Sequence, residues 1–403
     1  MSESSTQPTE PTSQTVPFAS PAAAAGPEHV TEPVAYDGIL LAGFGGPEGQ
    51  DDVIPFLRNV TRGRGIPDER LEEVAHHYRH FGGVSPINAH NRQLKAALEA
   101  ELARRGIDLP VYWGNRNWDP YLPDALKEAD AAGHHRLIAI ATSAYSSYSS
   151  CRQYREDFAR SLVESGLAGT TTIDKVRPFF DHPGFVTVFV DGVRDALATL
   201  AVDGEDGAGV PADRVQVLFS THSVPTADAQ RSGPAELGLG EGGAYEAQHL
   251  AVASYVMAQL EPTVGEVPWR LVYQSRSGPP SQPWLEPDIV EVIEGLPEGE
   301  VDAVVIVPLG FVSDHMEVMW DLDTEAVEAA QERGMRVLRT PTPGIDPGYV
   351  TGLVDLVVER LQGTPPEQRP ALTDLGPWYD VCRPGCCENV RLGFKPAAAG
   401  LAP

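Results

Sequence analysis

The sequence predicts an α/β protein with two doubly wound, Rossmann-like domains, each built on a parallel sheet. Six apolar runs are continuous rather than alternating, which is typical of strands that are covered on both faces. Segments of helical length separate these runs, and alternating strands and helices form parallel sheets with crossover helices. The alternation occurs twice, before and after about residue 210, so we expect one domain on each side of that point.

Each predicted strand is an apolar run of three to five residues, and the six runs in chain order are Gly38–Ala42, Pro110–Gly114, Leu137–Ala141, Val215–Phe219, Leu271–Tyr273 and Ala303–Val307. The predicted helices are Glu69–Arg79, Asn91–Arg105, Leu122–Ala132, Tyr154–Glu164, Gly184–Ala201, Tyr245–Leu260, Glu317–Arg333 and Tyr349–Gln362. We therefore expect an N-terminal domain at 36–210, completed by the helix near 347–363, and a C-terminal domain at 211–345. Residues 1–35 contain little to bury and are expected to be disordered, and 364–403 form an extension that ends in a second tail from Lys395 on.

The composition argues against several classes of partner. Hydrophobic residues make up 42% of the 403 residues, and no apolar run approaches the roughly 20 residues of a membrane span. The formal net charge of −27 argues against binding to nucleic acid or to anionic lipid. The N-terminal segment has neither a basic region nor an apolar one, so we expect no secretion signal. An anionic substrate would need cations or hydrogen-bond donors placed locally in its pocket.

Polar and glycine-rich segments follow three of the predicted strands. They are LLAGFGGPEG at 40–49, FSTHSVP at 219–225 and GFVSDHMEVMWDLD at 310–323. In doubly wound sheets, ligands bind beyond the carboxyl ends of the strands, so these segments are candidate binding loops. The first segment is not a dinucleotide fingerprint, because Glu48 stands at the third glycine position and Pro47 would interrupt the helix start. The departure from the fingerprint argues against a nicotinamide or flavin enzyme.

His222 and Glu317 are the candidate catalytic residues at these strand ends. His222 follows an apolar strand, and its hydroxyl-bearing neighbours can orient the ring. A neutral imidazole can bind a divalent metal or accept a proton near pH 7. The structural alternative is a core histidine that is hydrogen-bonded to the backbone. Glu317 lies closest to the strand end, between Met316 and Val318, which indicates a partly buried carboxylate.

Glu317, Asp321 and Glu325 recur every four residues, so an α-helix would place them on one face. Like charges at this spacing destabilise a helix, which gives the arrangement an energetic cost. A row of carboxylates that leads inward can carry a divalent cation, and oxygen ligands with one imidazole suit Fe²⁺, Mg²⁺ or Mn²⁺. The alternative for Asp321 and Glu325 is a solvated acidic face near a helix N-terminus.

Four motifs together resemble those of the ferrochelatases: LLAGFGGPE, FGGVSPIN, THSVP and GFVSDHMEVMWDLD. They occur in the order and spacing of that family, and the resemblance spans about Gly38–Leu361. Within the family, the chain looks like the actinobacterial coproporphyrin ferrochelatases. The resemblance implies a two-lobed chelatase fold with a cleft between the lobes, in which Fe²⁺ is inserted into a porphyrin with release of two protons.

The resemblance also assigns roles to residues. It implies that His222 and Glu317 face each other across the porphyrin and contact the incoming Fe²⁺, and that Asp321 and Glu325 feed metal or export protons. The residues expected to contact the porphyrin are Phe44, Arg62, Tyr78, Ser85, Tyr154 and Trp320. Arg64 is a further candidate cation, for which an exposed surface arginine is the alternative. Many family members have a tyrosine in place of Phe44 that can ligate the product iron, so the axial ligand is left open here.

Four cysteines need a separate explanation: Cys151, Cys382, Cys386 and Cys387. Two disulfides, a zinc site or an iron–sulfur cluster could account for them. The resemblance favours a [2Fe–2S] cluster, which some chelatases hold with one cysteine from the middle of the chain and three from its C-terminus. Adjacent Cys386 and Cys387 can both ligate only if the backbone is bent between them.

We therefore expect a cytoplasmic, monomeric ferrochelatase that inserts Fe²⁺ into coproporphyrin III and carries a [2Fe–2S] cluster. It should bind no nucleic acid and associate with no membrane stably, and a downstream enzyme of haem synthesis is a candidate partner. Three alternatives stay open. They are a chelatase for protoporphyrin IX or another tetrapyrrole, a chelatase for another metal such as cobalt, and a noncatalytic haem or iron carrier.

Overall fold

The computed structural model describes residues 29–63, 65–202, 209–277, 281–383, 385–388, 393 and 395–400. The strands in this part of the chain are β1 (Gly38–Gly43), β2 (Val111–Asn115), β3 (Arg136–Ala141), β4 (Thr172–Lys175), β5 (Val215–His222), β6 (Trp269–Gln274), β7 (Ala303–Val307) and β8 (Arg336–Arg339). They form two four-stranded sheets, in the orders β2-β1-β3-β4 and β6-β5-β7-β8. All pairings between these strands are parallel, and the predicted class of two parallel α/β sheets is confirmed.

The α-helices that the structure describes are α1 (Val53–Val60), α2 (Asp68–His80), α3 (Ile87–Arg104), α4 (Leu122–Ala131), α5 (Gln153–Glu164), α6 (Pro183–Val202), α7 (Thr226–Ala229), α8 (Gly243–Val264), α9 (Ile289–Glu294), α10 (Val327–Glu332) and α11 (Pro347–Gln362). Short 3₁₀ turns occupy Gln50–Asp52, Ala212–Arg214, Ala235–Leu237 and Pro366–Gln368. Two segments are π-helical, Tyr148–Arg152 before α5 and Val318–Ala326 before α10. No helix in the described part of the chain is long and apolar enough to cross a membrane.

The central strands are buried because helices cover both faces of each sheet. Every residue of β7 is fully buried, and β1 is buried along its whole length. One apolar cluster includes side chains from both sheets, and helix α6 within it packs against α8 and α11. Helix α11 also packs against α3, so the last long helix returns to the first half of the chain. The domain boundaries given above remain a prediction.

Two strands of the structure are missing from the prediction. Strands β4 and β8 both lie at sheet edges, and their sequences, TIDK and RVLR, mix charged with apolar residues. Strand β8 is partly exposed, whereas β4 is mostly buried but contains Asp174, which pairs with Arg360, and Lys175, so neither sequence has a continuous apolar run. The prediction relied on such runs and could not detect these two strands.

The helix predicted over Glu317–Arg333 is wrong in its geometry. The backbone from Val318 to Ala326 is π-helical, and only the last turn, α10, is α-helical. A π-helix closes i→i+5 hydrogen bonds, is rare, and occurs mostly at functional sites. Helix α1 was also missed, because its eight residues contain Pro55 in the first turn.

The predicted tails are shorter than expected. Residues 1–28 lie outside the described part of the chain, but predicted disorder is wrong for residues 29–35, where Val30 is buried. The Val30 N–H donates to Asp380 at 2.7 Å, and Arg369 donates to the Val30 carbonyl at 2.8 Å. At the other end, residues 397–399 are buried, although a tail was predicted from Lys395 on. Val30 and residues 397–399 therefore pack onto the folded protein.

Candidate active site and cysteine site

His222 is the last residue of β5, at the carboxyl end of the second sheet. Strand β5 lies between β6 and β7, so the loops that follow all three strands meet at this edge. Gly310, just after β7, approaches Thr221 so closely that a Cβ at position 310 would lie 2.7 Å from the Thr221 Cβ. Glycine is therefore required where the loop that leads to Glu317 passes β5.

Two hydrogen bonds fix the orientation of His222. Its Nδ1–H donates to the Ser223 carbonyl at 2.5 Å, because a carbonyl can only accept. Its own carbonyl accepts the Tyr245 O–H at 2.8 Å, and the Tyr245 hydroxyl also lies 2.7 Å from that of Thr221. The remaining ring nitrogen, Nε2, faces Glu317 with a separation of 3.5 Å from Oε2. The structure thus brings the two predicted catalytic residues together.

The opposite charges of this pair shift both pKa values. Burial lowers the pKa of His222, but the negative charge of Glu317 and the hydrogen bond between the two outweigh burial and raise it to about 9. Burial also opposes ionisation of Glu317, but the imidazolium outweighs it and lowers the pKa of Glu317 to about 2. The Glu317 side chain is 49% exposed, so water reaches the pair and an incoming cation can separate it.

Asp321 is held by residues that follow β6. Ser275 donates a short hydrogen bond to its carboxylate, and Gln274 donates at 3.2 Å to the same oxygen. Ser275 has a φ of 60°, a left-handed conformation that is uncommon outside glycine and often marks functional sites. Burial, reinforced by the charges of Glu317 and Glu325, raises the pKa of Asp321 to about 7 against the effect of the Ser275 hydrogen bond. Asp321 can therefore gain or lose a proton near neutral pH.

Glu325 lies beyond Asp321 and is exposed. Its carboxylate accepts the Trp320 indole N–H at 2.8 Å, and the Trp320 ring stacks on His77 of α2 with centroids 4.0 Å apart. The row of three carboxylates thus extends from His222 to the surface, where Trp320 contacts a helix of the first half. The prediction of one acidic face is compatible with this arrangement, although the helix that carries it is π-helical.

An aromatic cluster lies next to the His222–Glu317 pair. The Phe56 ring contacts Phe44 and Tyr78, with centroid separations of 6.4 and 5.8 Å. Met316, which precedes Glu317, packs into the same apolar cluster as Phe56 and Tyr78. The negative charge of Glu317 also acts on the buried Tyr78, whose pKa burial raises. The predicted aromatic residues Phe44 and Tyr78 therefore lie close to the His222–Glu317 pair, and Phe44 is partly exposed.

The other residues expected to contact the porphyrin differ in their surroundings. Ser85 is buried, and its N–H donates to the Pro47 carbonyl at 2.9 Å, so it supports the loop after β1. Tyr154 is buried beneath the guanidinium of Arg116, 4.0 Å from its ring centroid, rather than on an open wall. Arg62 is exposed and donates to Asn59 at 2.5 Å. Arg64 lies outside the described residues.

Residues that the sequence interpretation missed make several of these contacts. Gln274 and Ser275 follow the predicted strand LVY, and their polar YQS sequence at a strand end could have been noticed. Tyr245 was included in a predicted helix, but nothing local to it indicates a contact with His222. His315, two residues before Glu317, has a pKa that burial lowers.

The structure brings the four cysteines near one another, and all of them except Cys382 are buried. The sulfurs of Cys151 and Cys382 are 3.9 Å apart, and those of Cys386 and Cys387 are 3.7 Å apart. Two thiolates on one tetrahedral metal with bonds near 2.3 Å lie about 3.8 Å apart, so both pairs have a suitable separation. Cys387 has a φ of 56°, which supplies the bend that two adjacent ligands need. In the described part of the chain, no disulfide forms, and no group of three or more possible ligands has metal-binding geometry.

Cations surround these thiols. Arg155 is fully buried and acts electrostatically on all four cysteines, and the buried Lys175 acts on Cys151. The Nε and Nη1 atoms of Arg155 have no hydrogen-bond partner among the described residues. Buried cations with free donors fit an anionic group held by thiolates better than neutral disulfides.

The fold places an imidazole and a carboxylate together at the carboxyl end of a parallel sheet, and these two groups can bind a divalent cation and exchange protons. A comparison with family models identifies the protein further, because residues 36–361 match the ferrochelatase model. The chain belongs to the ferrochelatase family.

Close relatives cover nearly the whole chain. The coproporphyrin III ferrochelatase of Leifsonia xyli is 70% identical over 390 residues, which cover 96% of this chain and 99% of the relative. Those of Tropheryma whipplei (56% identical; 91% and 93% covered) and Streptomyces coelicolor (52% identical; 91% and 96% covered) match at similar length. The similarity thus extends beyond the family model into both chain ends.

Proposed function

We propose that the protein inserts Fe²⁺ into coproporphyrin III to give Fe-coproporphyrin III. The observation that carries this proposal is the His222 Nε2 opposed to the Glu317 carboxylate at 3.5 Å, at the carboxyl end of a parallel sheet. Metallation replaces two pyrrole protons by one dication, so it needs a base and a transient metal ligand at one place. Imidazole and carboxylate supply both. The names of the close relatives support coproporphyrin III as the substrate.

His222 changes its protonation state during the proposed cycle. In the empty cleft the pair is charged, as its pKa values require. A dication that arrives beside the ring disfavours the imidazolium and releases its proton. The freed Nε2 can then accept a pyrrole proton, while the hydrogen bond to Ser223 keeps the ring in place. Glu317 contacts the incoming Fe²⁺ before the porphyrin nitrogens replace it.

Asp321 and Glu325 form the proposed path to solvent. Asp321 has a pKa of about 7, so it can accept a proton from the pair and pass it on at neutral pH. Glu325 is exposed and completes the path. The same carboxylates can carry Fe²⁺ inward, since their oxygen ligands bind it loosely. Two protons leave for each iron that enters, so the total charge is conserved.

The porphyrin is proposed to lie against Phe44 and Trp320, with Tyr78, Ser85 and Tyr154 supporting the cavity. Arg62 is the proposed local cation, because a chain with a net charge of −27 would otherwise repel a polyanion. Coproporphyrin carries four propionates and protoporphyrin two, so the local cations should matter more for coproporphyrin. Phe44 cannot ligate iron, so we propose that His222 is the axial ligand that holds the product.

Cys151, Cys382, Cys386 and Cys387 are proposed to hold a [2Fe–2S] cluster as four thiolate ligands. The spacing of the sulfur pairs and the buried cations support this proposal. When bound, the cluster supplies a one-electron redox centre and a crosslink. The ligands come from the π-helical turn before α5 and from the extension, so they fasten residues 382–387 to the first half of the chain.

We further propose that the protein works in the cytoplasm as a monomer, without stable membrane association. Size-exclusion chromatography with light scattering should give the mass of one chain, 43.3 kDa. A mass of two chains, or recovery of the protein with membranes after cell fractionation, would contradict this.

The substrate is tested by anaerobic kinetics. With Fe²⁺ held constant, kcat/KM for coproporphyrin III should exceed that for protoporphyrin IX, and Arg62→Ala should narrow the difference. Arg58→Ala, which removes an exposed arginine of α1 paired with Asp68, is the matched control. A preference for protoporphyrin IX, or for Co²⁺ over Fe²⁺, would favour one of the alternative chelatases.

A further inference from the structure

Arg155 differs from the other fully buried arginines of this chain. Arg177 pairs with Glu359 at 2.9 Å, and Arg360 pairs with Asp174 at 2.9 Å. Arg155 is equally buried, but in the described part of the chain no carboxylate pairs with it, and its Nε and Nη1 donate to nothing. A buried, unpaired guanidinium destabilises a fold, so its retention here calls for an anionic partner.

The space around the Arg155 guanidinium is defined on two sides. On one side lie the four thiols, all of which interact with its charge. On the other side the end of the chain passes over it. A Cβ at Gly400 would collide with Nη1, and the Arg155 carbonyl accepts the Ala398 N–H at 2.9 Å. The guanidinium is therefore enclosed by the segment at Gly400, and its charge interacts with all four thiols.

Charge decides which partner fits. Two disulfides are neutral and would leave both Arg155 and Lys175 as buried cations beside them. A group of two Fe³⁺, two sulfides and four thiolates has a net charge of −2, and one-electron reduction makes it −3. Two buried cations, Arg155 and Lys175, can balance the oxidised form. Lys175 already donates to the Val176 carbonyl at 3.1 Å, so Arg155 has the free donors.

We propose that Arg155 is the counter-cation and hydrogen-bond donor of the iron–sulfur group held by the four cysteines, with Nε–H and Nη1–H donating to its sulfur atoms. This inference rests on the cluster proposed above. Because reduction adds a negative charge, a cation and N–H donors beside the sulfurs stabilise the reduced form and raise the reduction potential. Arg155 therefore sets the potential of the group and favours its retention.

The test compares Arg155→Met and Arg155→Lys with the wild type. Arg160→Met is the control, since Arg160 lies on the same helix but is exposed and paired with Asp157 at 2.8 Å. Each protein is reconstituted anaerobically with iron and sulfide and titrated against redox dyes, with visible absorption and electron paramagnetic resonance as readouts. For Arg155→Met we expect the reduction potential of the cluster to become more negative by about 59 mV, which corresponds to a tenfold change in a one-electron redox equilibrium. The potential should shift less in Arg155→Lys and should not change in Arg160→Met.

A second readout covers the case in which Arg155→Met fails to keep the cluster. Thermal unfolding is measured for the apo and reconstituted forms of each protein. The apo form of Arg155→Met should unfold at a higher temperature than apo wild type, because an uncompensated buried cation is gone. Its reconstituted form should unfold at a lower temperature than reconstituted wild type, or lose its iron and sulfide. If Arg155 contributed only packing, the substitution would not change the unfolding temperature in opposite directions in the apo and reconstituted forms.

The outcomes separate the two proposals. Wild type that takes up no iron and sulfide overturns the cluster and with it this inference. Wild type that assembles the cluster, together with an Arg155→Met variant of unchanged midpoint and unchanged spectra, overturns the inference alone. An apo Arg155→Met protein that is less stable than apo wild type also overturns it, since the cation would then have another partner.

Discussion

The two π-helical segments of this chain serve sites of opposite design. Val318–Ala326 carries Asp321 and Glu325 beside an accessible pair, and the polar groups there have partners from the chain itself, such as Ser275 for Asp321. Tyr148–Arg152 carries Cys151 in a buried region that the C-terminal extension closes, and the cation next to it has free donors. At the first site the polar groups have partners without a bound group, which suits a metal ion that binds only transiently. The second contains a buried guanidinium whose charge no carboxylate balances among the described residues, which suits the resident group proposed above.

Helix α8 joins the two regions. Tyr245 donates to the His222 carbonyl, and Gln248, on the same helix, accepts the Ser146 N–H at 2.8 Å, next to the start of the π-helical turn with Cys151. At the start of α8, Ser232 accepts the Tyr245 N–H at 2.8 Å, and the neighbouring Gly233 N–H lies 3.2 Å from the Cys387 sulfur. A change at the cysteines therefore has a route of hydrogen bonds to the His222 backbone through α8. Variants at each site show how separate the two sites are.

The largest effect is expected from His222→Ala. Without the imidazole, the site loses its base and one metal contact, so kcat should fall by roughly 10²–10⁴-fold while porphyrin affinity changes little. His135→Ala is the matched control, because His135 is partly exposed and lies at the amino end of β3 in the other sheet. Anaerobic kinetics and porphyrin fluorescence titration measure the two effects. Turnover near the wild-type rate in His222→Ala would show that another group is the base.

The next effect concerns Asp321 and Glu325, the proposed path to solvent. The double variant Asp321→Asn, Glu325→Gln should raise the KM for Fe²⁺ by about tenfold, since two carboxylate ligands are lost, with a smaller change in kcat. Ser275→Ala should shift the same parameter less, because it removes only the hydrogen bond that orients Asp321. Glu328→Gln, exposed on α10, is the control. An unchanged KM for Fe²⁺ in the double variant would show that these two carboxylates form only a solvated acidic face.

At the cysteine site we expect an effect on stability and colour. Cys151→Ser should yield colourless protein without the two irons and two sulfides, and should lower the free energy of unfolding by roughly 2–5 kcal/mol, as loss of a long-range crosslink does. Ser149→Ala, in the same turn, should change neither property. Iron and sulfide analysis with thermal unfolding checks both. Colourless wild type with one zinc per chain would replace the cluster by a zinc site.

The smallest effect is the pH dependence of stability. The folded pKa of His222 is raised to about 9 from 6.5, so its pairing with Glu317 stabilises the fold fully below pH 6.5 and loses that contribution as pH rises through 9. Glu317, lowered to about 2 from 4.5, contributes above pH 4.5. The difference in unfolding temperature between wild type and Glu317→Gln should therefore be largest at pH 5–6 and close to zero above pH 9. A difference that grows with pH would contradict the ion pair.

The two sites also differ in how far the sequence could predict them. His222 and Glu317 follow apolar strands, so the sequence pattern placed each of them at a strand end, and the resemblance to the ferrochelatases implied that they face each other. The contacts from Ser275, Tyr245 and Arg155 could not be predicted this way, because they depend on which helix packs beside which strand. The edge strands β4 and β8 and the π-helical geometry were missed for a related reason: neither leaves a regular apolar period.

Catalysis by the His222–Glu317 pair is tested most directly by an anaerobic assay of wild type and Glu317→Gln with Fe²⁺ and coproporphyrin III in tenfold excess over protein. We expect wild type to metallate the whole porphyrin pool over many turnovers, and Glu317→Gln to bind porphyrin but to metallate it at least roughly 100-fold more slowly. Formation of a single equivalent of metalloporphyrin by wild type, with Glu317→Gln the same, would contradict catalysis by this pair. It would instead identify a carrier that binds iron and porphyrin without catalysis.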